Sequence, residues 1–130
     1  MEYVDISILK GKVLKDIKID YCDNKITFVD NSNISYVMAH KQDCGEEMYI
    51  EGVYEYGDID SLLNAPITIA EEVEDYSELP LNEDNLGYTW KLYQVGTEID
   101  YILIRWYGES NGYYSEGVDF VRIPEEVNHV

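Results

Sequence analysis

The densest group of side chains that could do chemistry runs from His40 to Glu47, with the sequence His-Lys-Gln-Asp-Cys-Gly-Glu-Glu. It offers imidazole, thiolate and carboxylate groups, which are ligands that transition metals accept. A metal site here would use His40, Asp43, Cys44 and Glu46. The rest of the chain holds one further histidine and one further cysteine, and a polar turn at the end of a strand explains the same residues. We therefore expect no metal and no cofactor, and keep this metal site as the alternative.

Covalent catalysis would need a nucleophile beside a base that a third group holds in place. Cys44 and Ser110 are the candidate nucleophiles, and the two histidines are His40 and His129. His40 and Cys44 lie four residues apart, but nothing in the sequence fixes the imidazole as a base. Adjacent acids are frequent because the chain has 27 acidic residues, so they do not indicate the two-carboxylate site of a glycosidase. We expect the protein not to be an enzyme.

The negative charge is concentrated in one part of the chain. The formal net charge is −18, yet residues 1–41 are balanced, with six acids and six lysines. Residues 42–90, the acidic tract, contain fourteen acids and neither lysine nor arginine. Such a distribution costs self-repulsion in the compact state. It also argues against direct binding to nucleic acid, which needs cations that neutralise phosphates.

The acidic tract predicts a basic partner that normally holds a polyanion such as a nucleic acid, and it does not identify that partner. Duplex DNA carries about one charge per 1.7 Å of axis, so the net charge matches roughly 30 Å of duplex. Alternate residues on one strand lie about 6.7 Å apart, so carboxylates of neighbouring strands would have to combine. The carboxylates predicted to bind the partner are Glu46, Glu47, Glu51, Glu55, Asp58, Asp60, Glu71, Glu72, Glu74, Asp75, Glu78, Glu83 and Asp84.

A second candidate contact region is the aromatic segment 105–116, Arg-Trp-Tyr-Gly-Glu-Ser-Asn-Gly-Tyr-Tyr-Ser-Glu. Aromatic side chains can stack on nucleic-acid bases, but the chain has no basic groove to accompany them. Core strand, hairpin tip and protein interface explain the segment better, since interfaces favour tyrosine and tryptophan. The predicted contact residues are Trp106, Tyr107, Tyr113 and Tyr114, and packing within the protein explains them equally well.

Hydrophobic and polar residues alternate along most of the chain, which predicts β-strands. Three such runs come first, at 13–21, 26–29 and 34–40. Five more follow, at 48–56, 67–74, 88–95, 101–107 and 113–123. Polar turn clusters separate the first three runs and predict an antiparallel meander, and the last three runs predict a second three-stranded set. The run from Tyr101 to Tyr107 is apolar on both faces, which predicts a central strand.

Two short segments predict single helical turns with the same layout. Asp5 is suited to cap the first turn and Gly11 to end it in a left-handed conformation. Asp58 and Asn64 occupy the corresponding positions of the second segment. Each predicted turn is followed by three predicted strands, which indicates an internal repeat. Chance similarity over so few residues is the competing explanation.

The chain of 130 residues has the usual size of one domain. We predict a single acidic domain, 1–130, whose repeat covers about residues 5–40 and 58–123. The predicted fold class is α+β, mainly antiparallel β, with two meander-like halves that are each led by a short helix. No segment approaches the roughly 20 apolar residues that span a bilayer. The start lacks a basic signal region and the two cysteines suit a reducing compartment, so we expect a cytoplasmic protein that does not bind membranes.

Two segments resemble small uncharacterised proteins of tailed bacteriophages. They are residues 36–46, Tyr-Val-Met-Ala-His-Lys-Gln-Asp-Cys-Gly-Glu, and residues 105–115, Arg-Trp-Tyr-Gly-Glu-Ser-Asn-Gly-Tyr-Tyr-Ser. The family pattern has HxQDCCE-like and WYGESNGYYSE-like segments, and Gly45 stands here where a second cysteine is usual. The resemblance implies a viral origin, and hence the host cytoplasm, but no established activity. Small acidic phage proteins include anti-CRISPR and anti-restriction inhibitors, so by analogy it implies a counter-defence role.

The function expected from the sequence is therefore that of an acidic phage-type inhibitor, a DNA mimic that occupies a host nucleic-acid-binding defence protein. An acidic protein-interaction module without mimicry is one alternative, and its mark would be charges spread evenly over the surface. A small-ligand or nucleotide-signal binder is another. An anionic ligand would need converging cations, and only Lys91, Arg105 and Arg122 follow residue 41.

Overall fold

The computed structural model describes residues 2–40, 46–73, 88–110 and 118–124. Its strands are β1 (Glu2–Tyr3), β2 (Leu14–Asp20), β3 (Lys25–Asp30), β4 (Ser35–Ala39), β5 (Glu46–Tyr56), β6 (Ile69–Val73), β7 (Tyr88–Gly96), β8 (Tyr101–Ser110) and β9 (Asp119–Ile123). Single turns of 3-10 helix lie at Ile6–Leu9 and Ile59–Leu62. All strand pairs are antiparallel. The prediction of a mainly antiparallel β fold is confirmed.

The strands form two sheets that share one hydrophobic core. The first sheet has the order β1-β9-β4-β3-β2, and the second has the order β5-β8-β7-β6. The inner faces of both sheets contribute to a single cluster of buried side chains. Between the sheets, the fully buried indole of Trp106 on β8 donates a hydrogen bond to the sulfur of Met38 on β4, at 3.2 Å. Burial of apolar surface between the two sheets stabilises the fold.

Polar residues shape the turns of the first meander, as their positions in the sequence predict. Asn24 and Asn33 have positive φ angles of 50° and 62°, a conformation that asparagine tolerates better than most residues. The carboxylate of Asp30 is buried, and it accepts hydrogen bonds from the backbone N–H groups of Ser32 and Ile34 at 2.8 and 3.0 Å. The carboxylate thus provides the acceptor for two backbone N–H groups in the turn between β3 and β4.

The helical detail of the predicted fold class is not confirmed. Where the sequence predicts short leading helices, the described chain has lone 3-10 turns. The caps are as predicted, because the side chains of Asp5 and Asp58 each accept a hydrogen bond from the N–H two residues on, at 3.0 Å. A 3-10 turn suits a segment that is too short to make several α-helical hydrogen bonds. No described helix is long and apolar enough to cross a membrane.

The predicted three-stranded set at 88–123 is wrong in its pairing. β7 and β8 pair as predicted, and β8 lies inside its sheet, as its two apolar faces indicate. Its other neighbour is β5, however, and β9 lies in the first sheet between β1 and β4. Strand alternation shows which face of a strand is buried but not which strand lies beside it.

The strand that follows each meander in the chain pairs with the other meander. β2, β3 and β4 form a meander after the first 3-10 turn, and β6, β7 and β8 form one after the second. β5 follows β4 in the chain but pairs with β8, whereas β9 follows β8 but pairs with β4. The internal repeat stays a prediction, and this reciprocal exchange extends the correspondence between its halves to a fourth strand.

Matching hydrogen bonds join the segments that follow the two 3-10 turns. The N–H of Gly11 donates to the carbonyl of Ile67 at 2.8 Å, and the N–H of Asn64 donates to the carbonyl of Leu14 at 2.9 Å. Gly11 and Asn64 have φ angles of 83° and 65°, so both need a residue that accepts the left-handed region. An isolated antiparallel bridge between residues 13 and 66 lies between the two bonds. These nearly symmetric backbone hydrogen bonds thus connect the two halves at one end.

We expect Trp106→Ala to lower the free energy of unfolding by roughly 3–5 kcal/mol, because it empties the largest buried site between the sheets. Urea unfolding followed by circular dichroism measures the loss. Ile99→Ala is the control in the turn between β7 and β8, since Ile99 is 84% exposed and should cost about 0.5 kcal/mol or less. Similar losses for both variants would contradict the placement of Trp106 in the core.

Candidate functional site

The outer face of the second sheet is rich in aromatic side chains. Along β8, Ile102, Ile104 and Trp106 are buried, which turns the alternate residues outward. Their cross-strand partners on β5 and β7 share that outward direction. We call this surface the aromatic face; its rings are Tyr49, Tyr54, Tyr56, Trp90, Tyr101 and Tyr107.

The rings of the aromatic face are ordered by contacts with one another. Tyr56 and Tyr101 stack with their centroids 4.7 Å apart, and Tyr107 contacts Tyr49 and Trp90 at centroid distances of 5.5 and 4.7 Å. Such pairs contribute about 0.5–1.5 kcal/mol each beyond the area that they bury. Three of the tyrosines remain 41–49% exposed. The face therefore combines a fixed arrangement with accessible ring surface, as a protein contact site requires.

One guanidinium lies among these rings. The Arg105 side chain is placed over Trp90, with its central carbon 3.9 Å from the ring centroid, which is a cation–π contact. The hydroxyl of Tyr54 donates to the carboxylate of Glu51 at 2.6 and 2.7 Å. This hydrogen bond raises the pKa of Tyr54, and the nearby Arg105 opposes that effect. Tyr54 therefore stays neutral and protonated around neutral pH.

A bulge in β5 assembles this part of the face. The register with β8 shifts between Ile50 and Gly52, so Tyr49 and Tyr54 point to the same side although they are five positions apart. A methyl group at Gly52 would lie 3.0 Å from the ring of Tyr54. The ring thus lies directly over the glycine, an arrangement that protects a glycine in a strand.

The described carboxylates of the acidic tract are exposed and lie around the second sheet. Glu51 and Glu55 belong to β5 and Glu71 and Glu72 to β6, which are the two edges of the sheet. Three strand spacings separate these edges, or about 14 Å. Asp58 and Asp60 are exposed at the second 3-10 turn.

The register divides the edge carboxylates between the two faces. Glu71 pairs with Gln94, and Glu51 reaches Tyr54, so both border the aromatic face. Glu55 is opposite the buried Ile102, and Glu72 is opposite Tyr93, so both belong to the inner register. The six described carboxylates therefore surround the sheet instead of forming one continuous acidic surface.

The prediction that Trp106 contacts a partner is wrong. Its side chain has no exposed surface and packs in the core, so a partner cannot reach it. Tyr107, predicted with it, is half-buried on the aromatic face. Glu46 and Glu47 begin β5. The other predicted contact residues lie outside the described residues: Glu74, Asp75, Glu78, Glu83, Asp84, Tyr113 and Tyr114.

The alternative metal site falls largely outside the described part of the chain. Asp43 and Cys44 are not described, and His40 is half-buried just after β4. Within residues 2–40, 46–73, 88–110 and 118–124, no three His, Cys, Asp or Glu side chains converge on a metal position. The expectation of no metal stays a prediction.

Sequence reasoning missed most of the aromatic face. The tyrosines of β5 and Trp90 of β7 were not predicted as contact residues. Tyr54 and Tyr56 alternate as outward residues of a strand should, and that signal was available. The sequence pattern does not predict that Tyr49 lies on the same face, because the bulge breaks the period of two.

A double-mutant cycle tests the contact between Gly52 and Tyr54. We expect Gly52→Ala to destabilise the native protein by about 1 kcal/mol, because the methyl group displaces the Tyr54 ring. In the Tyr54→Ala background the same change should be neutral or stabilising, since alanine is favoured over glycine in a strand by about 0.5–1 kcal/mol. Urea unfolding of the four proteins gives the coupling energy. Equal effects in both backgrounds would contradict the contact.

Comparison with known proteins identifies a family but no activity. A family model described as a domain of unknown function, DUF7448, matches residues 7–120. No curated protein matches the chain, and no solved structure does. The family description states no origin, so the resemblance to phage proteins stays a prediction. Because the match covers most of the sequence, from the first 3-10 turn into β9, the chain belongs to the DUF7448 family.

Proposed function

We propose that this protein is a non-enzymatic inhibitor that binds a basic, nucleic-acid-binding protein through the aromatic face and the carboxylates that border it. The observation that carries the proposal is the combination of ordered, exposed rings with exposed acids at both edges of one sheet. Rings and carboxylates attract the same groups, because arginine and lysine bind aromatic faces as well as acids.

The charge of the whole protein supports a basic partner. A net charge of −18 raises the rate of encounter with a cationic surface and repels nucleic acids. The two edges of the second sheet are about 14 Å apart, a separation comparable with the roughly 12 Å width of the DNA major groove. Carboxylates at these edges are suited to contact cationic side chains that otherwise hold phosphates.

A counter-defence role is the specific form of this proposal. It rests on the resemblance of two segments to phage proteins, and by analogy the target is a host defence nuclease of the CRISPR or restriction type. The inhibitor would occupy the surface that the nuclease uses for DNA or RNA. Affinity capture from bacterial lysate, at low and high salt, would identify the protein that is bound.

An interaction module without mimicry is the second candidate. It is supported by the distribution of the described acids, which surround the second sheet instead of forming a single array. Such a module would bind mainly through the rings, with the charge serving solubility. The two candidates differ in how binding responds to salt and to competing nucleic acid.

The first prediction compares two double variants of equal net charge. Glu51→Gln/Glu71→Gln neutralises the acids that border the aromatic face, and Gln keeps an acceptor for Tyr54. Glu55→Gln/Glu72→Gln neutralises acids of the same two strands in the inner register. We expect the first pair to weaken binding of the captured protein by roughly threefold to tenfold and the second to have a smaller effect. Titration calorimetry measures both, and equal losses would show that net charge alone matters.

The second prediction concerns salt and competition. If the protein replaces nucleic acid, its association rate should fall as salt rises, because the Debye length shrinks from about 10 Å at 0.1 M to about 3 Å at 1 M. Excess duplex DNA or guide RNA should displace it from the captured protein. Surface plasmon resonance over a salt series gives both rates. Binding that ignores salt and nucleic acid, but is lost in Tyr56→Ala, would favour the module without mimicry.

A further inference from the structure

A cleft of about 300 Å³ opens between the two sheets, away from the aromatic face. The first 3-10 turn forms one wall, and β6 and β7 of the second sheet form another, with β4 and β9 contributing from the first sheet. At roughly 30 Å³ for each water molecule, this space equals about ten waters. It is therefore large enough for a small organic molecule.

The cleft contains a polar group that the protein does not satisfy. The Tyr93 side chain lines it and is only 8% exposed. Its hydroxyl forms no hydrogen bond with the described residues, whereas the hydroxyls of Tyr36 and Tyr54 both bond to carboxylates. The hydroxyl is not among the fully buried, unbonded polar atoms of the described residues, so it is reached from the cleft. It is therefore available to hydrogen-bond a molecule that occupies the cleft.

The charges around this hydroxyl are mainly negative. Burial raises the pKa of Tyr93, and the nearby carboxylates of Glu72, Asp5 and Asp119 raise it further. The hydroxyl therefore stays neutral well above physiological pH, and its oxygen can accept a hydrogen bond. A ligand with a positive charge would relieve the repulsion among these acids.

Two lysines lie close to the acids of the cleft. Lys91 pairs with Glu72 at 3.2 Å. The exposed Lys10 lines the cleft; hydrogen bonds from Ser7 lower the pKa of Asp5, and the charge of Lys10 lowers it further. On this side of the sheet Asp5, Glu72 and the nearby Asp119 carry three negative charges, against the two positive charges of Lys10 and Lys91. The balance at the cleft remains negative.

The lining favours an organic cation over a metal ion. Among the described residues, no three acidic, histidine or cysteine side chains come close enough together to coordinate a metal. The remaining lining includes apolar groups suited to hold a hydrocarbon chain, notably Met38, Val118 and Phe120. A bare ion would leave this apolar surface uncovered.

We propose that the cleft binds a primary ammonium group carried on a short aliphatic chain. The ammonium donates hydrogen bonds to the Tyr93 hydroxyl oxygen and to the carboxylates of Glu72 and Asp5, while its chain packs against Met38 and Phe120. The same chemistry is offered by a free alkyl amine and by a lysine side chain of another protein. This site lies apart from the aromatic face, so it does not depend on the inhibitor role proposed above.

The probe for the first experiment is pentylamine, which is an ammonium ion at pH 7. Two molecules of similar shape serve as controls, neutral pentan-1-ol and anionic pentanoate. Binding to the full chain is followed by nuclear magnetic resonance shifts of the β6, β7 and β9 amides. We expect pentylamine to bind at least about tenfold more tightly than either control, because a hydrogen bond to a charged group is stronger than one to a neutral group. Binding of pentan-1-ol at equal strength, or no binding of pentylamine, would overturn the proposal.

Variants locate the site and separate binding from folding. Tyr93→Phe removes one oxygen and should weaken pentylamine binding by roughly tenfold, whereas Glu55→Gln, which removes a charge elsewhere, should leave it nearly unchanged. Lys10→Gln removes the opposing charge and should tighten binding by about threefold. This gain cannot come from a misfolded protein. Loss of affinity in Lys10→Gln, or an unchanged affinity in Tyr93→Phe, would refute the assigned pose.

The source of the ammonium is resolved with two further probes. Cadaverine represents free aliphatic amines, and a glycine-flanked peptide with one central lysine represents a protein side chain. Tighter binding of cadaverine would identify a small-molecule site, and tighter binding of the peptide would identify a protein contact. In either case the affinity should depend on Tyr93, and binding of both probes that is indifferent to Tyr93→Phe would count against the site.

Discussion

The burial of Trp106 between the two sheets is the constraint on which the rest of the structure depends. Its indole N–H donates a hydrogen bond to the sulfur of Met38, so the largest buried side chain of the second sheet has its acceptor in the first sheet. The inner residues of β8, Ile102, Ile104 and Trp106, are buried in the core that the two sheets share. Its accessible residues lie on the outer side, and they include Tyr101, Tyr107 and Arg105.

The same arrangement separates two kinds of surface. On the outer side of the second sheet, ring contacts and the bulge at Gly52 give an ordered face with acids at its borders. On the inner side, beside the first 3-10 turn, a cleft borders the core and has Tyr93 in its wall. Exposed acids lie beside both surfaces, and we propose a protein partner for the first and an ammonium group for the second.

Local features of this fold are determined by short stretches of sequence. The caps at Asp5 and Asp58, and the left-handed positions at Gly11 and Asn64, depend on neighbouring residues and were predictable. Pairing of β9 with β4 depends on residues far apart, and no periodic pattern encodes it. The site follows the same rule. Exposure of the acids was predictable from their charge, whereas the bulge depends on the pairing of β5 with β8 and the cleft on the packing of the two sheets.

The position of β9 also has a consequence for synthesis on the ribosome. β9 begins about 80 residues after the end of β4, the strand that it completes. At translation rates of about 5–20 residues per second, the edge of β4 waits roughly 4–16 s for its neighbour. An unpaired strand edge is a template for unwanted association. During this interval the nascent meander β2-β3-β4 depends on its own turns, and the buried carboxylate of Asp30 in one of them, to keep its shape until the missing strand emerges.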